Sequence, residues 1–397
     1  MLKGLVFVSF TVIAATGALA DPTQDCANLS GDAAIRACDQ AIRQNPRGAE
    51  SYTNRGIEYA KKGDLDHALT DFNEAIELNP KYAEAYNNRG IVYRGKGDLN
   101  RALADYNKAI ELNPKYAEAY NSRGIAYLGK NDLDRAIADF TESIRQKTPQ
   151  LHLPYNNRGI AYRGKGDLDR ALADFNEAIE LNPKYAEAYN NRGIAYRGKG
   201  DLNRALADFN EAIELDSKFA EAYNNRGNAY SDNGDLDRAL ADYSKAVELQ
   251  PNNITFTKNI GYARFYRGDF KDAAADLLRA IELKDDIYPM LFRFLARSRS
   301  GETAVSELEA NASRLKTKEW PYAVIDLYLG RRQPDATLAA AVKPDDRCEA
   351  YFYVSQWYVL KDNKADAEAA LKTALDTCPK TFIEYAAAVA EWKRLRP

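Results

Sequence analysis

The phrase NPKYAEAYNNRG occupies residues 79–90 and returns letter for letter at 182–193, with a near copy, NPKYAEAYNSRG, at 113–124. These are the clearest copies of a 34-residue period, whose units begin at Ala49, Ala83, Ala117, His152, Ala186, Ala220 and Ile254. The third unit holds one extra residue, within RQKTPQLHLPY, and seven units cover residues 49–287. A period of this length restricts the fold strongly. One unit is a supersecondary element too small to bury its own apolar face, so stacked neighbours must supply the core.

Within a unit the spacing predicts a helical hairpin. The first helix carries an aromatic at position 4, from Tyr52 to Tyr223, and a glycine at position 8, from Gly56 to Gly261. Glycine inside a helix costs about 1 kcal/mol against alanine, so seven repetitions require a packing reason. The alanines at position 20, from Ala68 to Ala273, are expected to face the glycines, with Phe72, Tyr106, Phe140, Phe175, Phe209 and Tyr243 filling the wider end. Asp64, Asp98, Asp132, Asp167, Asp201, Asp235 and Asp269 stand where the second helix needs an N-cap, and Asn-Pro dipeptides end that helix. This pattern resembles the tetratricopeptide repeat family. The resemblance implies an all-α, right-handed α-solenoid of antiparallel helix pairs, with the first helices lining a concave groove.

The flanks extend the register. The segment GDAAIRACDQAIRQNP reads as a second helix ahead of the first full unit, so residues 21–48 form an N-terminal cap. Residues 288–347 read as irregular helical pairs, and residues 348–397 as a divergent repeat with a terminal capping helix. Residues 1–20 place Lys3 ahead of an apolar run that ends on Ala18, Leu19 and Ala20, the pattern of a signal peptide cleaved after Ala20. No cysteine follows that site, so a lipid anchor is not expected there. The mature chain is expected to be soluble, without stable membrane insertion, and periplasmic or secreted. Four cysteines allow three connectivities, and the repeat register favours Cys26 with Cys38 and Cys348 with Cys378 over free thiols. The C-terminal order, with Trp320, the run at residues 327–330 and the aromatic helix at 351–358, resembles the periplasmic adaptor family of the new lipoprotein I. That resemblance implies a non-enzymatic scaffold that brings a periplasmic protease or cell-wall hydrolase to its targets, often as a homodimer.

The chemistry that residues announce is sparse. A formal net charge of −3 gives no basic face for nucleic acid. Phosphate-loop look-alikes begin at Gly90, Gly159 and Gly193, but each follows no strand and carries glycine where Ser or Thr would bind magnesium. The two histidines, His67 and His152, occupy unrelated positions, with His67 on a solvated face, and no cluster has metal-ligand spacing. The expected chain is neither an enzyme nor the carrier of a cofactor or metal.

Position 6 of the first helix is the candidate binding column: Asn54, Asn88, Ser122, Asn157, Asn191, Asn225 and Asn259. It lies two residues from the glycine, so on a 3.6-residue helix it faces away from the hairpin seam. The family resemblance places this position in the concave groove. An asparagine offers donor and acceptor to the backbone of an extended peptide. Repeat duplication is the rival explanation for Asn88 and Asn191, and it accounts less well for Asn54 and Asn259, whose surroundings have diverged. Glutamates recur at position 2, and Arg94, Arg163 and Arg197 at position 12, either as ligand contacts or as a self-paired surface. The expected function is a protein-interaction scaffold binding extended polypeptide; a structural subunit of an envelope export or assembly complex is the alternative.

Overall fold

The computed structural model describes residues 21–396, which contain twenty-three α-helices and no strand; the predicted signal peptide lies outside the described residues. The chain divides into two compact bodies, one ending at Lys199 and the other beginning at Gly200.

The first body opens with α1 (Pro22–Asn28) and α2 (Gly31–Gln44), joined by the Cys26–Cys38 disulfide. Four hairpins follow: α3 (Ala49–Lys61) with α4 (Leu65–Leu78), α5 (Ala83–Gly95) with α6 (Leu99–Leu112), α7 (Ala117–Gly129) with α8 (Leu133–Arg145), and α9 (His152–Gly164) with α10 (Leu168–Leu181). Helix α11 (Ala186–Gly198) ends this body. Each first helix starts at the residue where its sequence unit starts.

The turns are built by two residues. Gly63, Gly97 and Gly166 take φ values of +84°, +82° and +79°, a region costly for a side chain, and in the third unit Asn131 stands there instead. The aspartate that follows then caps the second helix, as Asp98 does by accepting from the Arg101 backbone N–H at 3.0 Å. Such a cap contributes about 1 kcal/mol.

The glycine column meets the aromatics rather than the alanines first. A Cβ at Gly124 would lie 2.7 Å from Cε1 of Phe140, and at Gly56 2.8 Å from Cε1 of Phe72. At Gly90 the Tyr106 ring stands at 2.7 Å and the Ala102 carbonyl oxygen at 3.2 Å. Each ring therefore packs against the bare backbone at its glycine, and the small alanine lets the two helices close around it. The rings are fully buried.

Neighbouring repeats are also joined by charge. Arg123 on α7 forks onto Asp139 on α8, with Nε–Oδ2 at 2.8 Å and Nη2–Oδ1 at 2.7 Å, and its Nη1 reaches Asn107 on α6 at 2.7 Å. Arg89 repeats this with Asp105 and Asn73, and Arg158 with Asp174 and Thr141. One guanidinium thus ties three helices of two repeats.

The second body begins with α12 (Leu202–Leu215) and continues through α13 (Ala220–Asp232) with α14 (Leu236–Leu249) and α15 (Ile254–Arg267) with α16 (Phe270–Leu283). Arg226 and Asp242 reproduce the fork. Asp269 departs from its predicted role: it makes no side-chain cap bond and pairs with Arg267 instead. The register then loosens through α17 (Ile287–Arg299), α18 (Val305–Ala312), α19 (Tyr322–Tyr328) and α20 (Pro334–Ala340). Phe292 on α17 lies among aromatic rings of other helices, 4.9–6.2 Å from those of Tyr262, Phe265, Phe352 and Tyr353. Helices α21 (Pro344–Leu360) and α22 (Lys364–Thr377) form the last hairpin, closed by the Cys348–Cys378 disulfide. Helix α23 (Ile383–Leu395) turns back onto α15: Tyr266 donates to the Ile383 carbonyl at 3.1 Å, and Arg394 to the Phe265 carbonyl at 2.8 Å. No described helix is long and apolar enough to cross a membrane.

Candidate functional site

In the first body α3 touches α5, α5 touches α7, α7 touches α9 and α9 touches α11, so the first helices form a continuous row. This contact covers the face that carries position 6. The asparagines there are half-buried or, at Asn88, fully buried, which differs from the open column expected of residues pointing away from the hairpin seam. The reason is the neighbouring first helix, a contact that the seam argument omits.

What the column does in this setting is pair with itself. Asn157 donates from Nδ2 to Oδ1 of Asn121 at 3.1 Å, Asn191 to Asn156 at 3.0 Å and, in the second body, Asn259 to Asn224 at 2.8 Å. The acceptor is always the position-5 asparagine of the preceding repeat. Sequence reading missed position 5, although every link needs an asparagine there as well as at position 6, a co-occurrence visible in the letters NN.

Where one partner is missing, the ladder stops. Thr53 stands at position 5 before Asn88, and its hydroxyl donates to the Ala49 carbonyl at 3.1 Å. Ser122 stands at position 6 after Asn87 and is one group too short. Asn87 and Asn88 accordingly have buried amide nitrogen and oxygen atoms without a hydrogen-bond partner in the structure. Asn54 follows the cap rather than a repeat and is half-buried. Asn225 and Arg197 are engaged side chains.

Extending the ladder tests this account. Ser122→Asn should supply Asn87 with a donor and raise stability by about 1 kcal/mol, the net value of one buried hydrogen bond. Urea unfolding followed by circular dichroism reads the shift. An unchanged or lowered midpoint would remove the ladder as a stabilising device.

The rim of the row is charged. Glu50, Glu84 and Glu118 lie on α3, α5 and α7 near their N-terminal ends. Burial, and then the like charges of Glu50 and Glu118, push the Glu84 carboxyl above its usual range, opposed by the Tyr82 hydroxyl that donates to it at 3.1 Å. Thr148 donates to Glu118 at 3.3 Å. Arg94 and Arg163 sit near the C-terminal ends of α5 and α9, partly buried.

A second polar cluster lies in the C-terminal part of the second body. Glu349 on α21 accepts from the Trp320 indole N–H at 2.9 Å and from the Tyr288 hydroxyl at 3.2 Å. Glu384 on α23, 1% exposed, accepts from the Tyr353 hydroxyl at 2.7 Å. Burial, reinforced by the Glu349 charge, pushes the Glu384 carboxyl up to about 8. Sequence reading did not single out either residue, because 35 positions separate them and neither lies in a motif.

The remaining candidates behave as structural parts. The look-alike phosphate loop at Gly90 runs along α5 into its turn. His67 faces solvent and bonds Asp64 at 2.7 Å, while His152 meets the Tyr185 ring edge-on at 5.0 Å, and burial lowers its pKa. Among the described residues no group of three or more His, Cys, Asp or Glu side chains is placed to hold a metal ion. Both cysteine pairs are bridged, with Cα–Cα separations of 4.5 Å and 4.9 Å.

Comparison with known proteins agrees with this geometry. Models described as tetratricopeptide repeat match residues 83–116, 220–253 and 105–138, and a model described as TPR repeat matches residues 56–97, 159–200 and 195–234. A tetratricopeptide repeat protein from Parabacteroides merdae is 25% identical over 57% of this chain and 90% of its own, with a TM-score of 0.47. YrrB, described as a TPR protein with an unusual peptide-binding site, is 30% identical over 47% of this chain and 95% of its own, with a TM-score of 0.37. PilF of Pseudomonas aeruginosa is 16% identical over 55% of this chain and 96% of its own, with a TM-score of 0.48. No curated protein matches the chain. Recurrent helix pairs, the buried glycine–aromatic contact and the matched repeat models lead to one conclusion: this chain belongs to the tetratricopeptide repeat family.

Proposed function

We propose that this protein is a non-enzymatic interaction scaffold that binds extended polypeptide along the first-helix row of its repeats. The observation that carries the reading is the hydrogen-bonding capacity left on that row. Asn157 and Asn191 each spend one N–H on a neighbour, which leaves a second N–H and an acceptor oxygen on a half-buried side chain. A peptide backbone presents the matching groups at regular intervals, and a repeated surface can meet them in register.

The compartment we infer is the periplasm or the exterior. Support comes from the two disulfides, which persist where thiols are oxidised, and from the signal-peptide pattern of residues 1–20. In that compartment the scaffold would bring polypeptide targets to an envelope protease or cell-wall hydrolase, singly or as a homodimer, as the C-terminal resemblance implies.

Hydrogen exchange in the presence of a synthetic library of unstructured peptides tests the binding face. Protection should appear on α5, α7 and α9 and be absent from α6, α8 and α10. Protection confined to the second helices would sink this reading in favour of an assembly subunit that docks through its outer surface.

A further inference from the structure

Two arginines on the first-helix row carry charge that the first body leaves unanswered. Arg94 on α5 and Arg163 on α9 hold the same register position and are partly buried. Nε of Arg94 and Nη1 of Arg163 are buried without a hydrogen-bond partner. Burial alone pushes the Arg163 guanidinium below its usual range, with no acid close enough to oppose it. The group that interacts with Arg94 is the buried Tyr106 hydroxyl, which carries no charge to balance the guanidinium.

The contrast with other arginines is sharp. Arg89, Arg123 and Arg158 are forked onto aspartates, and Arg101, Arg135 and Arg170 pair with the aspartates that cap their own helices. Packing does not demand a cation at this register, because Leu128 occupies it on α7. A partly buried guanidinium in this position gives up hydration and gains no counter-charge from the scaffold. A carboxylate arriving from outside would restore the charge balance at the exposed part of the guanidinium, by the charge-assisted hydrogen bonding that arginine favours.

The opposite rim, at the N-terminal ends of the first helices, limits what can carry that carboxylate. Burial raises the Glu84 carboxyl and the like charges of Glu50 and Glu118 add to it, so a polyanion would meet repulsion along one rim. A basic side chain there would relieve it.

We propose that the row takes an extended peptide of mixed charge, with acidic side chains on Arg94 and Arg163 and basic side chains toward Glu84 and Glu118. This rests on the peptide-binding reading given above. Arg94 and Arg163 are two repeats apart, so the acidic side chains of the ligand belong to separated positions rather than to one cluster.

Fluorescence anisotropy with labelled peptides of about twelve residues, a length that extends over roughly 40 Å, provides the test. Three probes are compared on the full chain: one with Asp and Lys dispersed in a Ser/Ala background, one with Asn and Gln in their place, and one with Asp alone. The mixed-charge probe should bind at least tenfold more tightly than either of the others, and its affinity should fall with added salt. Arg94→Gln with Arg163→Gln should remove that advantage, while Arg135→Gln, on a second helix, should not. Equal binding of mixed and neutral probes, or full binding by the double variant, overturns the charge assignment and leaves the scaffold reading standing. Failure of all three probes removes both.

Folding provides an independent readout. Arg94→Leu and Arg163→Leu should each raise the melting temperature of the free protein by about 2–4 °C, since leucine already serves at Leu128. A lowered melting temperature would mean that the guanidinium has a structural partner and would overturn the claim that it is held for a ligand.

Discussion

Raising the pH from 4.5 towards about 8 should progressively weaken the C-terminal part of the second body, and Glu384→Gln should remove most of that dependence. Glu384 is buried on α23 among tyrosines and faces a second carboxylate, Glu349. In the folded state it keeps its proton up to about 8, whereas the unfolded chain loses it near 4.5. The folded state therefore binds the extra proton throughout this interval, and stability falls with rising pH by about 1.4 kcal/mol per unit. The contribution is complete below the lower value and gone above the upper one. Across the interval the loss is on the order of 5 kcal/mol.

The groups around Glu384 set the size of the effect. Tyr353 donates to it, Tyr262, Tyr266 and Tyr288 lie within its field, and Glu349 adds to the same trend because burial raises its carboxyl too. Glutamine retains the carbonyl oxygen that accepts from Tyr353 and carries no charge at any pH. Hydrogen exchange across α21 and α23, measured at a series of pH values, isolates this region from the remaining repeats. A slope that survives unchanged in the variant would show that Glu384 is not its source.

Phe140→Ala should cost about 3–5 kcal/mol, the usual loss for an emptied aromatic site in a core. Gly124→Ala provides the sharper test, because two effects oppose each other. Alanine favours the helix by about 1 kcal/mol, but its Cβ would stand 2.7 Å from Phe140 Cε1 and overpacking costs about 1–3 kcal/mol. The net change should be destabilising. With both substitutions the methyl group enters space that the ring has vacated, so the double variant should lose less than the sum of the single ones. Protection of amides in α7 and α8 gives the local free energies, which is preferable to a single melting transition in a repeat array. Additive losses would mean that glycine and ring do not share one space.

The same contact shows how far the sequence could be read. Unit boundaries, turns, caps and both cysteine pairings follow from residues spaced within one unit. The partner of Gly124 is less accessible: alanine and aromatic columns both recur in register, and three-dimensional contact decides between them. The asparagine ladder needs one step more, since Asn191 bonds a residue 35 positions earlier, and a helical wheel of a single helix cannot show it. Glu349 and Glu384 lie beyond any periodic argument, because the segment between Tyr288 and Cys348 has lost the period. The forks from Arg123 and its counterparts were legible in principle, as each arginine has an aspartate sixteen residues later.

A linear array of repeats melts from its ends, where each terminal unit has one neighbour instead of two. Here both ends are covalently clipped: Cys26–Cys38 holds the opening helices together and Cys348–Cys378 the last hairpin. Helix-by-helix fraying of these two elements is thereby obstructed, since the bridged helices must leave their neighbours as one unit. A reducing medium would let them leave one at a time, so redox conditions govern the route by which these parts come apart as well as their stability.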